Sequence, residues 1–306
     1  MSKYKTKVVS TGRFIPDKIL TNDDLSKMVD TSDEWIYTRT GIKTRRIADE
    51  SVLELAYLAG LDAIKKGNVD KNDIDLIVVA TITAEQKTPS IANMVQKKLE
   101  IENTQVMTFD LNAACTGFVY ALEVASALVQ TNFNKALVIG VEKMTNVVDF
   151  TDRNTCILFG DAAGAMIIEK GNDDIFFYND SKGDLTDLLT VDDKIHMDGR
   201  KVYQFAVDII PKSINRVLEE NNLTLDEIDY IIPHQANVRI IDSFIKTLNL
   251  DRDKVLINID KYGNTSAASI PVAIDEYKDD NANSVKNVLI VGFGGGFTWG
   301  AAIIKI

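Results

Sequence analysis

Short, continuous apolar runs alternate along the chain with longer stretches in which apolar residues recur every three or four positions. Asp75–Thr81, Val106–Leu111, Lys135–Glu142 and Asp161–Glu169 are runs of the first kind, and they read as strands covered on both faces. A first strand begins at Lys7-Val-Val-Ser. Ser51–Lys66 has apolar residues at 52, 55, 56, 59 and 63 and meets Gly67, the pattern of an amphipathic helix and its stop. Another helix is expected over about Ser90–Leu99. Thr31-Ser-Asp-Glu34 has the form of a capping box, with Trp35 just inside the helix start. From Thr116 on, Phe118, Val119, Ala121, Leu122, Val124, Ala125, Ala127 and Leu128 make a helix apolar nearly all round, which predicts a buried one.

Residues 172–202 are polar and irregular, with Gly183 and Gly199, and read as a connector lying over a site. A helix over about Gln204–Asn221 follows, and Pro211 inside it predicts a kink. The grammar of the first half then returns. Asp73–Ala80 matches Glu227–His234, and Ile91–Leu99 matches Val238–Leu248. The strand and joint ending at Cys115 match Val255–Ser266. Ala136–Val141 matches Val288–Phe293, and Gly160–Lys170 matches Phe297–Ile306. The chain reads as a duplicated α/β half, 1–170 and 171–306. In this pairing Cys115 and Asn264 share one strand-to-helix joint, and His234 ends a neighbouring strand. A pseudo-twofold would bring all three to strand C-terminal ends near the midline, where open α/β sheets hold ligands.

Composition narrows the classes. With 306 residues at 45% hydrophobic content, the chain can bury a large core. A net charge of -11 argues against nucleic acid or an anionic membrane as partner. Two cysteines, Cys115 and Cys156, are too few for a disulfide framework. The first residues show no signal peptide, and a soluble, cytoplasmic protein is expected. The uncharged run 288–304 holds five glycines and falls short of the roughly 20 residues a span needs; two strands around a Gly-rich turn fit it better.

The candidate chemistry gathers at the joints. Cys115 lies beside the first turn of the buried helix, where unpaired N–H groups favour an anion, so a lowered thiol pKa is expected. Alone, it reads rather as a small hydrophobe at a tight turn. Of the two histidines, His196 sits in the polar connector and reads as a surface or rim residue, whereas His234 leaves a buried strand. Asn264 also has a plain reading as a turn or cap residue. No metal site is read, because the histidines and cysteines lack ligand spacing. Phe293-Gly-Gly-Gly-Phe297 lacks the P-loop lysine and the dinucleotide spacing. It fits a tight turn that brings backbone N–H groups to a reacting carbonyl.

Six motifs in order carry a resemblance that covers nearly the whole chain. They are Asp33–Ile42, Asn112–Phe118, Phe159–Gly164, Pro233–Arg239, Tyr262–Ser269 and Phe293–Gly300. Together they resemble the β-ketoacyl-[acyl carrier protein] synthase III family of the thiolase superfamily. The resemblance implies an α/β thiolase-like fold, duplicated halves in a five-layer αβαβα arrangement. It implies a two-step decarboxylative Claisen condensation that starts type II fatty acid synthesis, with Cys115 taking the acyl group from an acyl-CoA. Malonyl-[acyl carrier protein] then loses CO2 and its carbanion takes that group. A thiolate suits a group that arrives from one thioester and must leave readily. His234 Nε2 and the Asn264 amide would face the malonyl thioester oxygen, and the backbone N–H groups of Cys115 and Gly295 the acyl oxyanion.

The same resemblance places Trp35, Arg39, Arg153 and Asn237 on CoA. It places Gln235, Ala236, Asn237, Val238 and Arg239, with Lys246 on the same helix face, at the carrier protein, and Thr88 and Phe159 in the acyl pocket. It implies a homodimer whose partner subunit closes that pocket, and no cofactor, since acyl-CoA is a substrate. Nucleic acid and membrane are not expected partners. Three positions depart from the family pattern: Gln204 replaces a basic docking residue, the connector from Asp180 to His196 is short, and Thr88 stands where phenylalanine is frequent. The last predicts tolerance of primers longer than acetyl. Two alternatives stand beside this reading: a condensing or acyl-transfer enzyme of secondary metabolism, and a non-catalytic acyl-binding protein on the same fold.

Overall fold

The computed structural model describes residues 2–183, 186–280 and 286–306. Its strands are β1 (Ser2–Phe14), β2 (Ile19–Thr21), β3 (Thr44–Arg46), β4 (Leu76–Ala80), β5 (Met107–Leu111), β6 (Lys135–Lys143), β7 (Asp161–Ser181), β8 (Leu189–Val191), β9 (Ile195–Met197), β10 (Tyr230–Pro233), β11 (Asn287–Gly294) and β12 (Thr298–Lys305). The helices are α1 (Asn22–Leu25), α2 (Asp33–Thr40), α3 (Val52–Gly67), α4 (Ile91–Lys98), α5 (Gly117–Leu128), α6 (Arg153–Cys156), α7 (Gly199–Glu219), α8 (Val238–Leu248), α9 (Ile259–Tyr262) and α10 (Ser269–Asp280). Hydrogen bonding links the strands in the order β10-β11-β12-β7-β6-β4-β5, with β1 also on β7. The 21-residue β7 joins the two halves: its first part pairs with β6 and its last with β12, so residue 170 lies inside one strand.

Side-chain alternation sets the layers, because successive residues of a strand face opposite ways. Ile77, Val79, Leu137 and Ile139 pack with α3 and α4. Their neighbours Leu76, Val78, Ala136 and Val138 face a central layer with α5 and α10, which Val288, Ile290, Ala302 and Ile304 reach from the other side. Leu289, Val291, Ala301 and Ile303 face outward onto α7 and α8. The five-layer αβαβα order is thus the one expected. Phe118, Val119 and Leu122 of α5 are wholly buried, and each such side chain stabilises by about 1.5–3 kcal/mol.

Several local expectations change. The strand before Cys115 is half-exposed, because β5 is the last strand on its side of the sheet. Residues 172–181 belong to β7, so the irregular connector shrinks to the segment carrying the β8–β9 hairpin. Ser32, not Thr31, caps α2, accepting from Trp35 N–H at 3.1 Å. Asn68, at φ 47°, makes the left-handed stop of α3 one residue after Gly67. Helix α7 runs unbroken through Pro211. The strand expected from Val255 is a single parallel bridge to Ile231.

Candidate active site

Two equivalent turns meet at the centre. β5 leads to a 3-10 turn, Ala114–Thr116, that feeds α5; in the second half a 3-10 turn, Ser266–Ala268, feeds α10. Ala114 and Ser266 both have φ of 48°. The Asn112 side-chain oxygen accepts from Ala114 N–H at 3.2 Å, and that of Asn264 accepts from Ser266 N–H at 2.9 Å. An asparagine bonding two residues on supports each left-handed residue. The structural partner of Asn264 is therefore Asn112, and that of Cys115 is Ala267. This corrects the expected pairing of Cys115 with Asn264 by three positions.

Cys115, His234 and Asn264 come together as expected, in a cavity of about 1290 Å³ also lined by Ser266, Phe293, Gly294 and Gly295. His234 follows the end of β10, its N–H bonded to Val291 O at 2.7 Å and its ring 5.8 Å from that of Phe293. Its Nδ1 lies 2.7 Å from Ser269 Oγ, which also accepts from Gln235 N–H at 3.4 Å. Among the described residues, Nδ1 is the one acceptor in reach of the Ser269 hydroxyl, so Ser269 donates to Nδ1 and Nε2 carries the proton. Burial pushes the imidazole pKa down to about 3, which keeps the ring neutral. Asn264 Oδ1 is taken by Ser266, so its amide nitrogen is the side-chain group left to donate.

The expected lowering of the Cys115 pKa is not met. Cys115 is half-buried at the floor of the cavity, and loss of hydration pushes the thiol up to about 12, with the Glu142 carboxylate adding to the rise and the nearby Ser266 hydroxyl opposing it. Desolvation disfavours the charged form, and the N–H groups at the helix start act in the opposite direction. The Cys115 N–H is not used by its own 3-10 turn, whose first bond runs from Thr116 N–H to Ala113 O. Gly294 presses on this backbone: an added Cβ would stand 2.7 Å from Cys115 N, whereas one at Gly295 would stand 2.9 Å from Leu189 O.

The binding residues fall out unevenly. The Arg39 and Arg153 guanidinium carbons lie 4.3 and 5.0 Å from the Trp35 ring centroid. Asn237 lines the cavity and caps α8, accepting from Arg239 N–H at 2.9 Å. Ala236, Arg239 and Lys246 line the mouth, while Val238 packs against Gly41. Asp242 lies between the two basic residues on α8 and is neutralised by Arg252. Gln235 cannot dock a partner: its side chain is buried, bonding Pro233 O, Leu256 O and Asn258 N–H. Phe159 lines the cavity, but Thr88 is exposed and outside it. One chain therefore does not bring Thr88 to its own cavity, and the expected acyl-pocket role of this residue belongs to the cavity of a partner subunit. His196 is exposed on the hairpin.

Sequence reading missed the apolar wall formed by Leu189, Val191, Ile195 and Met197 of the β8–β9 hairpin, although the alternation Leu189-Thr-Val191 carried a signal. It also missed Glu142, Ser266 and Ser269, which have no spacing signature. Among the described residues no cluster of three or more His, Cys, Asp or Glu is placed to hold a metal ion, and no helix is long and apolar enough to cross a membrane.

Two family models match the chain. One, described as 3-oxoacyl-[acyl-carrier-protein] synthase III, covers residues 109–182, and the other, the C-terminal part of the same family, covers residues 218–306. The chain is 56% identical over 311 residues to a β-ketoacyl-[acyl-carrier-protein] synthase III of Acholeplasma laidlawii, covering 100% of both chains. It is 44% identical to one of Clostridium acetobutylicum, covering 97% of this chain and 98% of that one. Among solved structures, 3-oxoacyl-[acyl-carrier-protein] synthase III of Aquifex aeolicus is similar, with a TM-score of 0.95 and 43% identity over 98% of this chain and 100% of that one.

Proposed function

The chain belongs to the 3-oxoacyl-[acyl-carrier-protein] synthase III family, and from that premise we propose which residues carry each half of its reaction. It is an acyl-transferring condensing enzyme of fatty acid biosynthesis. An acyl-CoA primer and malonyl-[acyl carrier protein] give 3-oxoacyl-[acyl carrier protein], CoA and CO2, the step that initiates type II fatty acid synthesis. Full-length identity of 56% to such a synthase favours this over a role in secondary metabolism.

In the first half, Cys115 Sγ attacks the primer thioester, and the backbone N–H groups of Cys115 and Gly295 stabilise the oxyanion. In the second, CO2 leaves the malonyl group, so no base is needed, and the charge that builds on the thioester oxygen meets His234 Nε2–H and the Asn264 amide. The observation that carries this assignment is the pair of bonds behind those donors. Ser269 holds Nδ1 and Ser266 N–H holds Oδ1, which leaves two donors facing the cavity beside the thiol. Trp35, Arg39, Arg153 and Asn237 hold CoA, and Ala236, Arg239 and Lys246 meet the acidic carrier protein. Phe159 walls the acyl pocket and Thr88 reaches it from the partner of a homodimer. The halves 1–170 and 171–306 are duplicates that share β7. The protein works in the cytoplasm with no cofactor beyond its substrates, and neither nucleic acid nor membrane is a partner.

Intact-mass analysis after mixing with acetyl- or butyryl-CoA tests the reading. Cys115 should gain the acyl mass, and Cys115→Ser should abolish condensation. His234→Ala and Asn264→Ala should still be acylated but fail to decarboxylate the malonyl donor. An inert Cys115 would point to a binding protein, and near wild-type condensation by the two alanine variants would remove their assigned roles.

A further inference from the structure

Acylation of a neutral thiol leaves a proton to be placed, and the neutral His234 has no free lone pair to take it. Its Nδ1 accepts from Ser269 and its Nε2 already carries hydrogen. Another buried acid lies close by. Glu142 on β6 is wholly buried and has no cationic partner among the described residues. Its Oε2 accepts from Thr83 Oγ1 at 2.6 Å and Thr81 Oγ1 at 3.2 Å, and both oxygens lie near Ile82 N–H, at 3.1 and 3.3 Å. Its Oε1 accepts from Ser266 Oγ at 3.1 Å. Ser266 is itself fully buried; it and Cys115 line the same cavity from the two 3-10 turns that meet there. The Ser266 hydroxyl thus stands between the cavity that holds the Cys115 thiol and the buried Glu142 carboxylate.

Resting on the reading that Cys115 is acylated, we propose that Glu142 accepts the Cys115 thiol proton through the Ser266 hydroxyl. The Sγ–H bond breaks toward Ser266 Oγ while the Ser266 hydroxyl proton passes to Glu142 Oε1, so the hydroxyl is regenerated. The sulfur pair forms the bond to the thioester carbon. The departing CoA sulfur leaves that same carbon and recovers the proton by the reverse path, giving free CoA thiol, acyl-Cys115 and a restored carboxylate. Glu142 acts through Ser266 and touches no substrate.

The surroundings suit this task. Burial raises the Glu142 pKa to about 7, against the hydroxyl and N–H donors that lower it. The acceptor is therefore far more basic than His234, at about 3. The titratable group facing Glu142 is Cys115; the Thr81–Thr83 turn and the Ser266 turn offer only hydroxyl and N–H groups. Lys143, next in sequence, turns away to Glu50 O at 2.8 Å. Asp161, on β7 opposite β6, is taken by Ala48 N–H, Thr145 N–H and the Thr145 hydroxyl.

The shape of the pH profile tests the proposal. Quenched-flow mass spectrometry would follow acylation of the full-length chain by acetyl-CoA and butyryl-CoA from pH 5 to 9. Wild type should rise with slope one below about pH 7 and level above it, because the carboxylate form is half complete near pH 7 and nearly complete a unit higher, while the thiol is still protonated. In Glu142→Gln the plateau should vanish: the rate should climb with slope one through pH 9, as bulk hydroxide makes the thiolate, and fall by about 100-fold at pH 7.5, the low end for general-base loss. Acylation should fall at least ten-fold more than decarboxylation by enzyme acylated beforehand, which a mere buttress would not produce. Glu142→Asp should keep the plateau at a lower rate. Should Glu142→Gln not fold, Ser266→Ala decides: it cuts the same line and should lose the plateau. Ala114 shows that alanine accepts the same φ at the equivalent turn. A wild-type profile flat from pH 5, or a plateau surviving in either Glu142→Gln or Ser266→Ala, overturns the proposal alone. A wild-type Cys115 that takes no acyl group overturns the proposed function with it.

Discussion

Gly294→Ala should disable acylation while leaving the fold standing. Gly294 ends β11 and carries no left-handed φ, so alanine is acceptable to its own backbone. The difficulty is across the gap. The new Cβ would stand 2.7 Å from Cys115 N, 3.3 Å from Thr116 N and 3.1 Å from the Ala114 Cβ, where ordinary contact begins at 3.4 Å. Two of these atoms are backbone and cannot rotate away, so the nucleophile turn must retreat by several tenths of an ångström. That turn supplies both the sulfur and the Cys115 N–H proposed for the oxyanion. Losing one such donor typically costs about 2.7–4 kcal/mol, or 10²–10³ in rate, while crowding of this kind costs about 1–3 kcal/mol of stability. Rapid-quench mass spectrometry with acetyl-CoA should therefore show acylation slowed by about 100-fold or more, with KM for acyl-CoA little changed and Tm lowered by only a few degrees. Gly183→Ala is the control, since nothing lies within 4 Å of its added Cβ, and it should match wild type. Acylation of Gly294→Ala within threefold of wild type would falsify the claim that this contact sets the oxyanion geometry.

Reversing the basic stripe with Arg239→Glu and Lys246→Glu should raise KM for malonyl-[acyl carrier protein] by about ten-fold or more at low salt, and less at high salt, since rim charges are screened; single-turnover acylation by acyl-CoA should not change. Trp35→Ala removes the ring on which Arg39 and Arg153 rest; it should raise KM for acyl-CoA by roughly ten-fold, in line with about 1–2 kcal/mol for a stacked cation, and leave primers on truncated pantetheine thioesters unaffected. Thr88→Phe should cut kcat/KM for butyryl-CoA more than for acetyl-CoA if a partner subunit carries residue 88 to the acyl pocket; equal loss on both primers would exclude that placement.

How much was legible in the sequence depended on whether the signal was periodic. The runs Asp75–Thr81 and Lys135–Glu142 showed their strands because both faces are covered, and the all-apolar helix from Gly117 announced its place between two sheets. Edges were harder. Met107 is exposed on β5, and Thr108 and Asp110 alternate there with Phe109 and Leu111, a half-polar pattern that reading the segment as one apolar run passed over. The turns were harder still. Strand-by-strand matching set Cys115 against Asn264, but the equivalence is fixed by Asn112 and Asn264, each bonding the residue two positions on. Three residues of slip cost the hydrophobic pattern nothing and change which side chain reaches the midline. Gln235 failed for the opposite reason: a polar residue beside a functional histidine looks like a binding residue, and here it closes the core beneath Asn258.

The protonation states of the site follow from that same burial. At the helix N-terminus alone, Cys115 would be expected to rest as a thiolate; desolvated, its thiol rises to about 12, while the imidazole of His234 falls to about 3. Both groups are therefore neutral at rest across the physiological range. A neutral site has a catalytic advantage, because donors held in a low-dielectric cavity discriminate most strongly between a neutral carbonyl and the oxyanion that replaces it. The cost of this arrangement falls on the nucleophile, which cannot ionise into solvent before it attacks. Its proton has to move within the protein as the bond forms, and Glu142, buried behind the Ser266 turn with its pKa raised to about 7, is poised to both receive and return a proton near neutral pH.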